Sequence, residues 1–572
     1  MTLGATVPRD LELCVSKATG AVRGSLLELL CIGAKTAPGR RLLRRWVLQP
    51  LVHREDILQR QEAIQSFLPT PPPTLKPLLD GRPHLPDFDR IAGQLQSQKC
   101  SPKELAKALP IPPSLLSSLQ SSLDSLNPAL LSTSSATFIP RGGTPAQRAA
   151  AQAKERERAA KEADLSRALS PETERSNFPA LIAARERARE VERGMQDALV
   201  EAREIVGDPS LTFRAPLQTG PQAGIYWLLE LKRNGAPIKR VPTTGTTAWT
   251  RVCETKEFVR FHTPRILSTM ADLALAKDLL DAEAAKAWSQ HLKHLATDLC
   301  APLRNLATAL SIVDACASLA TLAANENWTK PIIRSPDKPA GIWALQARHP
   351  TAENDAGGHR SRALLIVDEV AKTLGESRPT VVLTGPNMGG KSTHVRSAAI
   401  LVILAQIGSW VPANAAVVGP CDGVFSRMGA DDDLIAGKST FHLESAEMAE
   451  ILSHATRRSL VLVDELGRGT ATFDGTALAL ATLRHVAVRL GSPALFTTHF
   501  PELRQLADEL SHVATNRHMA FLDHDGSVSF LFRAAPGAAE KSYGLHVARL
   551  AGIPEHIVRL AGEKSAELQS KS

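Results

Sequence analysis

The chain has 572 residues, of which 43% are hydrophobic and 22% are charged, enough for about four domains. This composition is typical of a folded globular protein and excludes collagen-like, mucin-like and wholly disordered chains, and no window of about 18 uninterrupted apolar residues predicts a membrane span. Lysine and arginine exceed aspartate and glutamate by 67 − 59 = 8, which favours a polyanionic partner.

The first 207 residues are predicted to be mainly helical. Apolar residues recur at helical spacing over Gly24–Gly33 and Gly39–Leu51, and a longer, charged helix is expected over Leu181–Ile205. Residues 144–176 are rich in Ala, Glu, Lys and Arg and contain almost no large apolar side chains. That composition predicts a solvated helical insertion, with an interaction tail as the alternative.

The pattern changes between residues 208 and 265. Short runs with high β-propensity are separated there by Gly, Pro, Asn and Thr, which predicts a small antiparallel sheet inserted between helical segments. A second helical region, 266–330, follows it. Thr263 is expected to cap a long helix that has Pro264 in its first position and extends past Leu322.

Residues 331–572 are predicted to form an α/β domain. Short Val- and Leu-rich runs (ALLIV, TVVLTG, SLVLVDE and ALFTT) alternate there with helical segments. Continuous apolar runs of this kind are typical of strands that are buried on both faces of a parallel sheet.

A phosphate-binding pattern lies between a strand and a helix of this domain. The segment Thr380–Ser392 is TVVLTGPNMGGKS, in which Gly385, Gly390, Lys391 and Ser392 fill the pattern GxxxxGK[ST]. Glycines let backbone N–H groups approach phosphates, and the helix N-terminus adds its positive dipole. Lys391 would reach the β- and γ-phosphates and Ser392 would bind Mg²⁺, whereas the alternative is a glycine-rich turn that happens to contain a lysine.

Two acids lie at the carboxyl end of a second predicted strand, residues 460–465, whose sequence is LVLVDE. Asp464 is predicted to hold Mg²⁺, and Glu465 is the natural general base for an attacking water molecule. The strand ALFTT is followed by His499, which could sense the γ-phosphate. A structural role is the alternative for a single histidine in this position.

Longer strings around these elements resemble one family. TGPNMGGKST, residues 422–452 (DGVFSRMGADDDLIAGKSTFHLESAEMAEIL) and residues 466–479 (LGRGTATFDGTALA) closely resemble the ATPase domain of the MutS family of DNA mismatch-repair proteins. The strings SLVLVDELGRGTATFDGTA and GAAEKSYGLHVARLAGIP are most similar to the mismatch-recognising subunit of eukaryotic MutS heterodimers. The N-terminal half resembles the family more loosely.

The resemblance implies a fold. It predicts that residues 331–572 are a C-terminal ABC-type P-loop ATPase domain of the α/β class. A mainly α-helical lever region, residues 1–207 and 266–330, would precede it, with a small antiparallel β clamp inserted at 208–265. In the family, ATP closes such a clamp on duplex DNA.

The resemblance also implies roles for residues of the ATPase domain. Ser392 and Asp464 would serve the metal, Glu465 would activate water, and His499 matches the family's switch histidine. The residues implied to bind ATP are Gly385, Pro386, Asn387, Met388, Gly389, Gly390, Lys391, Ser392 and Thr393.

Further implied roles concern partners. Ser439 matches the serine offered in trans to the γ-phosphate of a second MutS-family subunit, most simply in a heterodimer, and Asp474 lies in the loop that links the two sites. The implied location is the nucleus, and the implied partners are double-stranded DNA and downstream repair factors, with no membrane. The clamp residues expected to contact DNA phosphates are Lys232, Arg233, Lys239, Arg240, Arg251, Lys256 and Arg260.

The sequence departs from the family pattern in two places. The resemblance starts at the lever region, so we expect the mismatch-binding and connector domains to be missing. A truncated gene model, a short paralogue and a subunit that relies on another chain to find lesions are the open explanations. The segment after RHP (348–350) lacks the aromatic-plus-Asn stretch that helps to hold adenine in the family.

The leading hypothesis is therefore an ATP-hydrolysing clamp of mismatch repair. The alternatives are a meiotic-type MutS homologue that holds recombination junctions, an unrelated ABC-type ATPase such as a transporter motor, and an inactive fragment. The intact Ser392, Asp464 and Glu465 argue against the last of these.

Overall fold

The computed structural model describes residues 1–68, 86–101, 104–105, 178–214, 227–351, 363–366, 379–386, 389–429, 440–524, 527–537, 548–549 and 552–569. The insertion predicted at 144–176 lies outside these residues. The described residues belong to two compact units. The first contains those of Met1–Asp87 and Leu306–Ser572, and the second contains those of Phe88–Ile111 and Phe138–Asn305.

Helices account for much of the described chain, together with a 3₁₀ turn at Pro237–Arg240 and a π-helical turn at His485–Leu490. The helices are α1 Val7–Asp10, α2 Leu26–Leu30, α3 Ala37–Leu48, α4 Arg54–Gln65, α5 Phe88–Gln96, α6 Pro179–Val206, α7 Pro264–Asn325, α8 Lys391–Gln406, α9 Thr440–His454, α10 Thr472–Arg484, α11 Pro501–Glu509 and α12 Glu555–Gln569.

The strands belong to three sheets. They are β1 Thr2–Leu3, β2 Phe213–Arg214, β3 Leu228–Lys232, β4 Thr250–Glu254, β5 Phe258–His262, β6 Ile332–Ile333, β7 Gly341–Ala347, β8 Ala363–Ile366, β9 Thr380–Thr384, β10 Ala415–Gly419, β11 Gly423–Arg427, β12 Ser459–Asp464, β13 Ala494–Thr497, β14 Ala514–His524 and β15 Ser527–Pro536.

The first unit is built on a seven-stranded sheet in the order β1-β11-β12-β13-β9-β14-β15. Every neighbouring pair is parallel except β14 and β15. Val382, Val461, Val463 and Phe496 are buried in its apolar core. The predicted α/β arrangement is therefore confirmed, and the carboxyl ends of β9, β12 and β13 lie side by side, where ligands of open parallel sheets bind.

One strand was assigned to the wrong sheet. The first four residues of the run ALLIV form β8, but β8 pairs antiparallel with β7 in a separate four-stranded sheet, β6-β10-β7-β8. A short apolar run fits either kind of sheet because its periodicity does not distinguish them. Only the pairing partner decides between the two.

The first residues of the chain complete the large sheet, which was not predicted. Thr2 and Leu3 form β1 and pair in parallel with β11, opposite Gly423 and Val424. A strand of two residues has no recognisable periodicity, so this region was predicted to be mainly helical and no strand was expected in it.

The second unit contains the predicted antiparallel sheet. Its strands are arranged in the order β2-β3-β5-β4. Leu229, Leu231 and Phe261 of this sheet share an apolar core with Met195 of α6 and Ile266 of α7. We call residues 208–265 the β module.

Helix α7 begins as predicted, because Thr263 Oγ1 accepts a hydrogen bond from the backbone N–H of Ile266 at 3.0 Å. The helix includes an 18-residue window with a mean hydropathy of 1.7, which would suffice to cross a membrane by length and composition. However, 89% of that window is buried inside the protein, as in the core helix of a globular unit.

Candidate nucleotide-binding and hydrolysis site

The predicted phosphate loop joins β9 to α8 in the first unit. Gly385 has a φ of +141°, and a Cβ there would approach Met519 Cβ to 3.0 Å. Gly390 is the N-cap of α8 with a φ of +89°. Both glycines are therefore needed for the backbone path. Of the nine predicted loop residues, Asn387 and Met388 lie outside the described residues.

The ammonium group of Lys391 lies inside this loop. Its Nζ donates to the carbonyl oxygens of Gly385 at 2.9 Å and Pro386 at 3.3 Å. It also lies 3.3 Å from Nε2 of His499 and 3.5 Å from Oε1 of Glu465. Burial lowers the pKa of Lys391, whereas the charge of Glu465 opposes that shift. The predicted phosphate ligand and two predicted catalytic groups are thus in contact.

The two predicted metal ligands also meet. Ser392 Oγ, in the first turn of α8, donates to Asp464 Oδ2 at 2.7 Å. The other carboxylate oxygen of Asp464 accepts a hydrogen bond from Thr497 Oγ1. Hard oxygen ligands of this kind suit Mg²⁺ bound together with phosphates, so the residues fit the metal that the sequence implies.

Glu465 lies at the bend that follows β12. Its φ is +57°, a left-handed conformation that is uncommon for residues other than glycine. Its Oε1 lies 2.6 Å from His499 Nε2, and its Oε2 accepts a hydrogen bond from Arg468. Burial alone would raise the pKa of Glu465, but the hydrogen bond from His499 and the charges of His499, Lys391 and Arg468 hold it at about 2.

An open cavity of about 190 Å³ adjoins these groups. It is lined by Glu465, Arg468, Thr498, His499 and Phe500. The predicted base therefore faces a space large enough to admit water. Arg468 was not among the predicted residues because its charge became relevant only when the bend placed it beside Glu465.

A second unpredicted residue, Phe532, lies over the phosphate loop. Its ring reaches within 3.1 Å of the position that a Cβ at Gly390 would occupy. The ring is 39% exposed and the φ of Phe532 is +51°, which is rare for a bulky residue. No motif identified it, since it is far from the loop in sequence and only the pairing of β15 with β14 brings it there.

The basic residues of the β module are not equivalent. Arg233 and Arg251 both form ion pairs with Glu254. Lys232, Lys239, Arg240 and Lys256 are exposed. No ion pair joins these four to any acid within the described ranges.

Arg260 corrects the prediction for this surface. Its side chain is only 6% exposed, pairs with Glu230 at 2.7 Å and donates to Cys253 Sγ at 3.5 Å. Arg260 lies on β5 opposite Glu230 of β3, on the face of the sheet that is opposite to the core residues Val259 and Phe261. Its charge is therefore used inside the module and does not face a ligand.

The structure describes only one of the two residues that were predicted to act across a dimer. Asp474 is exposed in the first turn of α10, so its carboxylate is available at the surface. Ser439 lies outside the described residues, immediately before α9.

Two family models and several known proteins match this chain. Residues 7–320 match the family model of MutS domain III, and residues 381–569 match that of MutS domain V. The chain is 32% identical to DNA mismatch repair protein Msh3 of Homo sapiens, over 100% of this chain and 49% of that protein. The corresponding protein of Phaeosphaeria nodorum is 33% identical, with the same two coverages.

Msh3 of Mus musculus is 31% identical over 100% of this chain and 51% of its own length. The chain thus spans about half the length of these relatives. It resembles a subunit of the eukaryotic MutS heterodimers over its whole length. The chain therefore belongs to the MutS family of DNA mismatch-repair proteins.

Proposed function

We propose that this chain is an ATP-hydrolysing, DNA-binding subunit of mismatch repair that closes on duplex DNA when it binds ATP. One observation carries the proposal. Lys391, Ser392, Asp464, Glu465 and His499 form a continuous set of contacts at the carboxyl ends of β9, β12 and β13. These are the side chains that phosphoryl transfer needs, in the place where parallel sheets bind ligands.

Each residue of the set has a definable task. Lys391 would exchange the carbonyl oxygens of Gly385 and Pro386 for phosphate oxygens. Ser392 and Asp464 would hold Mg²⁺, which neutralises the phosphate charge when bound. Glu465 would orient and deprotonate a water molecule, which requires one of its oxygens to be released from His499 or Arg468.

Phe532 supplies a surface for the nucleobase. An exposed aromatic ring beside the phosphate loop can stack on adenine. In this role Phe532 would replace the aromatic-plus-Asn stretch that helps to hold adenine in the family and that is missing after residue 350. The unusual φ of Phe532 supports a binding role, because strained residues of this kind concentrate at ligand sites.

We further propose that the chain works in a pair with a second MutS-family subunit, in the nucleus. Ser439 would complete the partner's site, and Asp474 would lie at the junction. ATP can favour the closed state only by binding it more tightly than the open state. The exposed cations of the β module would contact DNA phosphates without reading base sequence.

A single set of assays tests the proposal. The purified chain, alone and mixed with a second MutS-family subunit of the same organism, is incubated with ATP, Mg²⁺ and a mispaired duplex, a matched duplex or a four-way junction. We expect hydrolysis that requires both chains and is stimulated by the mispaired duplex. Preference for the junction would favour the meiotic-type alternative, and a pair that neither hydrolyses ATP nor binds duplexes would refute the proposal.

A further inference from the structure

A buried ion pair lies behind the bend that carries Glu465. Arg427 at the end of β11 and Glu444 on α9 approach to 3.4 Å between Nη2 and Oε2. Their side chains are only 6% and 1% exposed. Neither residue touches the nucleotide loop in any contact described above, so the roles assigned so far do not explain this pair.

The pair is hydrogen-bonded to the backbone on both sides of Glu465. Arg427 Nη1 donates to the carbonyl oxygen of Asp464 at 2.8 Å. On the other side, the backbone N–H of Gly467 donates to Glu444 Oε1 at 2.5 Å. Only Glu465 and Leu466 lie between these two points. One ion pair therefore spans the bend.

The bend needs such support. Glu465 has a φ of +57°, and left-handed conformations at non-glycine residues persist only when the surrounding structure over-determines them. A third hydrogen bond, from Glu465 N–H to the carbonyl oxygen of Thr497 at 3.1 Å, holds the same peptide. Together these bonds set the direction in which the Glu465 carboxylate leaves the chain, toward His499 and Lys391.

Gly467 shows how closely the bend is packed. Its φ is +93°, and a Cβ there would lie 2.5 Å from the backbone oxygen of Gly475. The bend is therefore held by α10 on one side and by the ion pair on the other. Loss of the ion pair would remove two of the hydrogen bonds that hold the backbone on either side of Glu465.

We propose that Arg427 and Glu444 are positioning residues for the general base Glu465. This inference rests on the proposed function, since it assigns a role within the same hydrolysis site. Breaking the pair leaves Lys391 and Ser392 in place, so nucleotide binding persists. The carboxylate of Glu465 shifts from its place, and turnover falls.

A purely structural pair makes a different prediction. Buried ion pairs are weak evidence for stability, although removing one partner alone is destabilising. A structural role lowers the folded fraction but leaves the turnover of each folded molecule unchanged. A positioning role lowers the turnover number while the affinity for nucleotide stays the same.

The test uses the chain together with its partner subunit. Three variants are compared. Glu444→Gln keeps a side-chain oxygen that can accept from the N–H of Gly467, whereas Glu444→Leu has no such oxygen. The third variant is Arg427→Lys. The matched control is Glu450→Gln, because Glu450 lies on the same helix and its Oε1 accepts a hydrogen bond from the backbone N–H of Ala5 at 3.4 Å, away from the bend. Single-turnover hydrolysis of ATP and binding of ATPγS are measured on the folded fraction.

We expect Glu444→Leu to lower the single-turnover rate by about ten- to a hundredfold with an unchanged dissociation constant for ATPγS. The rates of Glu444→Gln and Arg427→Lys should fall between those of Glu444→Leu and the wild type, and Glu450→Gln should match the wild type. If Glu444→Leu turns over at the wild-type rate, or weakens ATPγS binding as much as it slows turnover, the positioning role is wrong.

A second measurement is independent of hydrolysis. In the nucleotide-free chain, amide hydrogen exchange of residues 464–469 should become faster in Glu444→Leu and stay unchanged in Glu450→Gln. Equal exchange in both variants overturns the inference. If the wild-type complex of the two chains does not hydrolyse ATP, only the proposed function is refuted. The exchange result still decides whether the ion pair holds the bend.

Discussion

Glu465 is surrounded by basic groups, and these hold its pKa low. His499, Lys391 and Arg468 all contact its carboxylate. A carboxylate with a pKa of about 2 is a weak proton acceptor. The proposed role as general base therefore requires these contacts to rearrange when nucleotide binds, most directly by Lys391 moving to the phosphates.

The first prediction concerns this carboxylate. Glu465→Gln should slow hydrolysis by about a hundredfold or more, because the general base is lost while the loop and the metal ligands remain. Binding of ATP should stay close to the wild-type value. Both quantities are measured in the two-chain complex, with Glu509→Gln, an exposed acid on α11, as the control. Unchanged turnover in Glu465→Gln would contradict the assignment.

The second prediction concerns Phe532. Phe532→Ala should weaken ATP binding by about tenfold, because stacking of a base on an aromatic ring is lost. Binding of inorganic triphosphate, which has no base, should not change. Titration calorimetry with both ligands makes the comparison, and an equal loss for ATP and triphosphate would show that the ring supports only the loop.

At the scale of elements, a buried carboxylate joins α7 to the start of α3 within the first unit. Asp314 Oδ2 accepts hydrogen bonds from Thr36 N at 2.8 Å and Thr36 Oγ1 at 2.7 Å, and Oδ1 accepts from Lys35 N at 2.8 Å. Thr36 is the N-cap of α3 and accepts from Gly39 N. A negative charge is favourable at a helix N-terminus.

The third prediction follows from this arrangement. Asp314→Ala should lower the free energy of unfolding by about 2–4 kcal/mol, because buried donors lose their acceptor. Urea unfolding followed by circular dichroism measures the change. Asp278→Ala serves as the control, since Asp278 is exposed on the same helix and its loss should cost no more than about 0.5 kcal/mol. Similar costs for both variants would contradict the capping role.

The fourth prediction distinguishes an exposed cation of the β module, Lys239, from a buried one, Arg260. Lys239→Ala should weaken binding to any duplex and reduce the slope of log affinity against log salt by about one unit. Arg260→Ala should leave that slope unchanged and destabilise the module instead, because Arg260 is paired with Glu230. Binding isotherms at several salt concentrations test both. If the salt slope changes for Arg260→Ala and not for Lys239→Ala, then Arg260 contacts DNA phosphates and Lys239 does not.

At the scale of the whole molecule, the proposed mechanism requires residues from two chains to form each complete hydrolysis site. Ser439→Ala should leave ATP binding by its own chain unchanged and slow hydrolysis at the partner's site, because that site loses its trans hydroxyl. Hydrolysis is measured in the mixed complex, with Ser453→Ala, which changes an exposed serine of α9, as the control. Full-rate hydrolysis by the chain alone at high dilution would refute the trans arrangement.

Local sequence was sufficient for the parts of the protein that depend on neighbouring residues. The positive φ angles of Gly385 and Gly390 and the capping hydrogen bond of Thr263 involve residues within a few positions along the chain, so spacing alone predicted them. The contacts of Lys391 with Glu465 and of Ser392 with Asp464 also followed, because parallel strands align their carboxyl ends.

Other features depended on pairings between distant segments, and only the tertiary structure decided them. The pairing of β1 with β11, the sheet to which β8 belongs, the burial of Arg260 and the position of Phe532 over Gly390 all join residues far apart in the chain. Periodicity specifies which face of an element is apolar, but it does not specify the partner that covers that face. For this reason the sequence by itself determined the chemistry of the site, whereas the fold decided which residues surround and hold it.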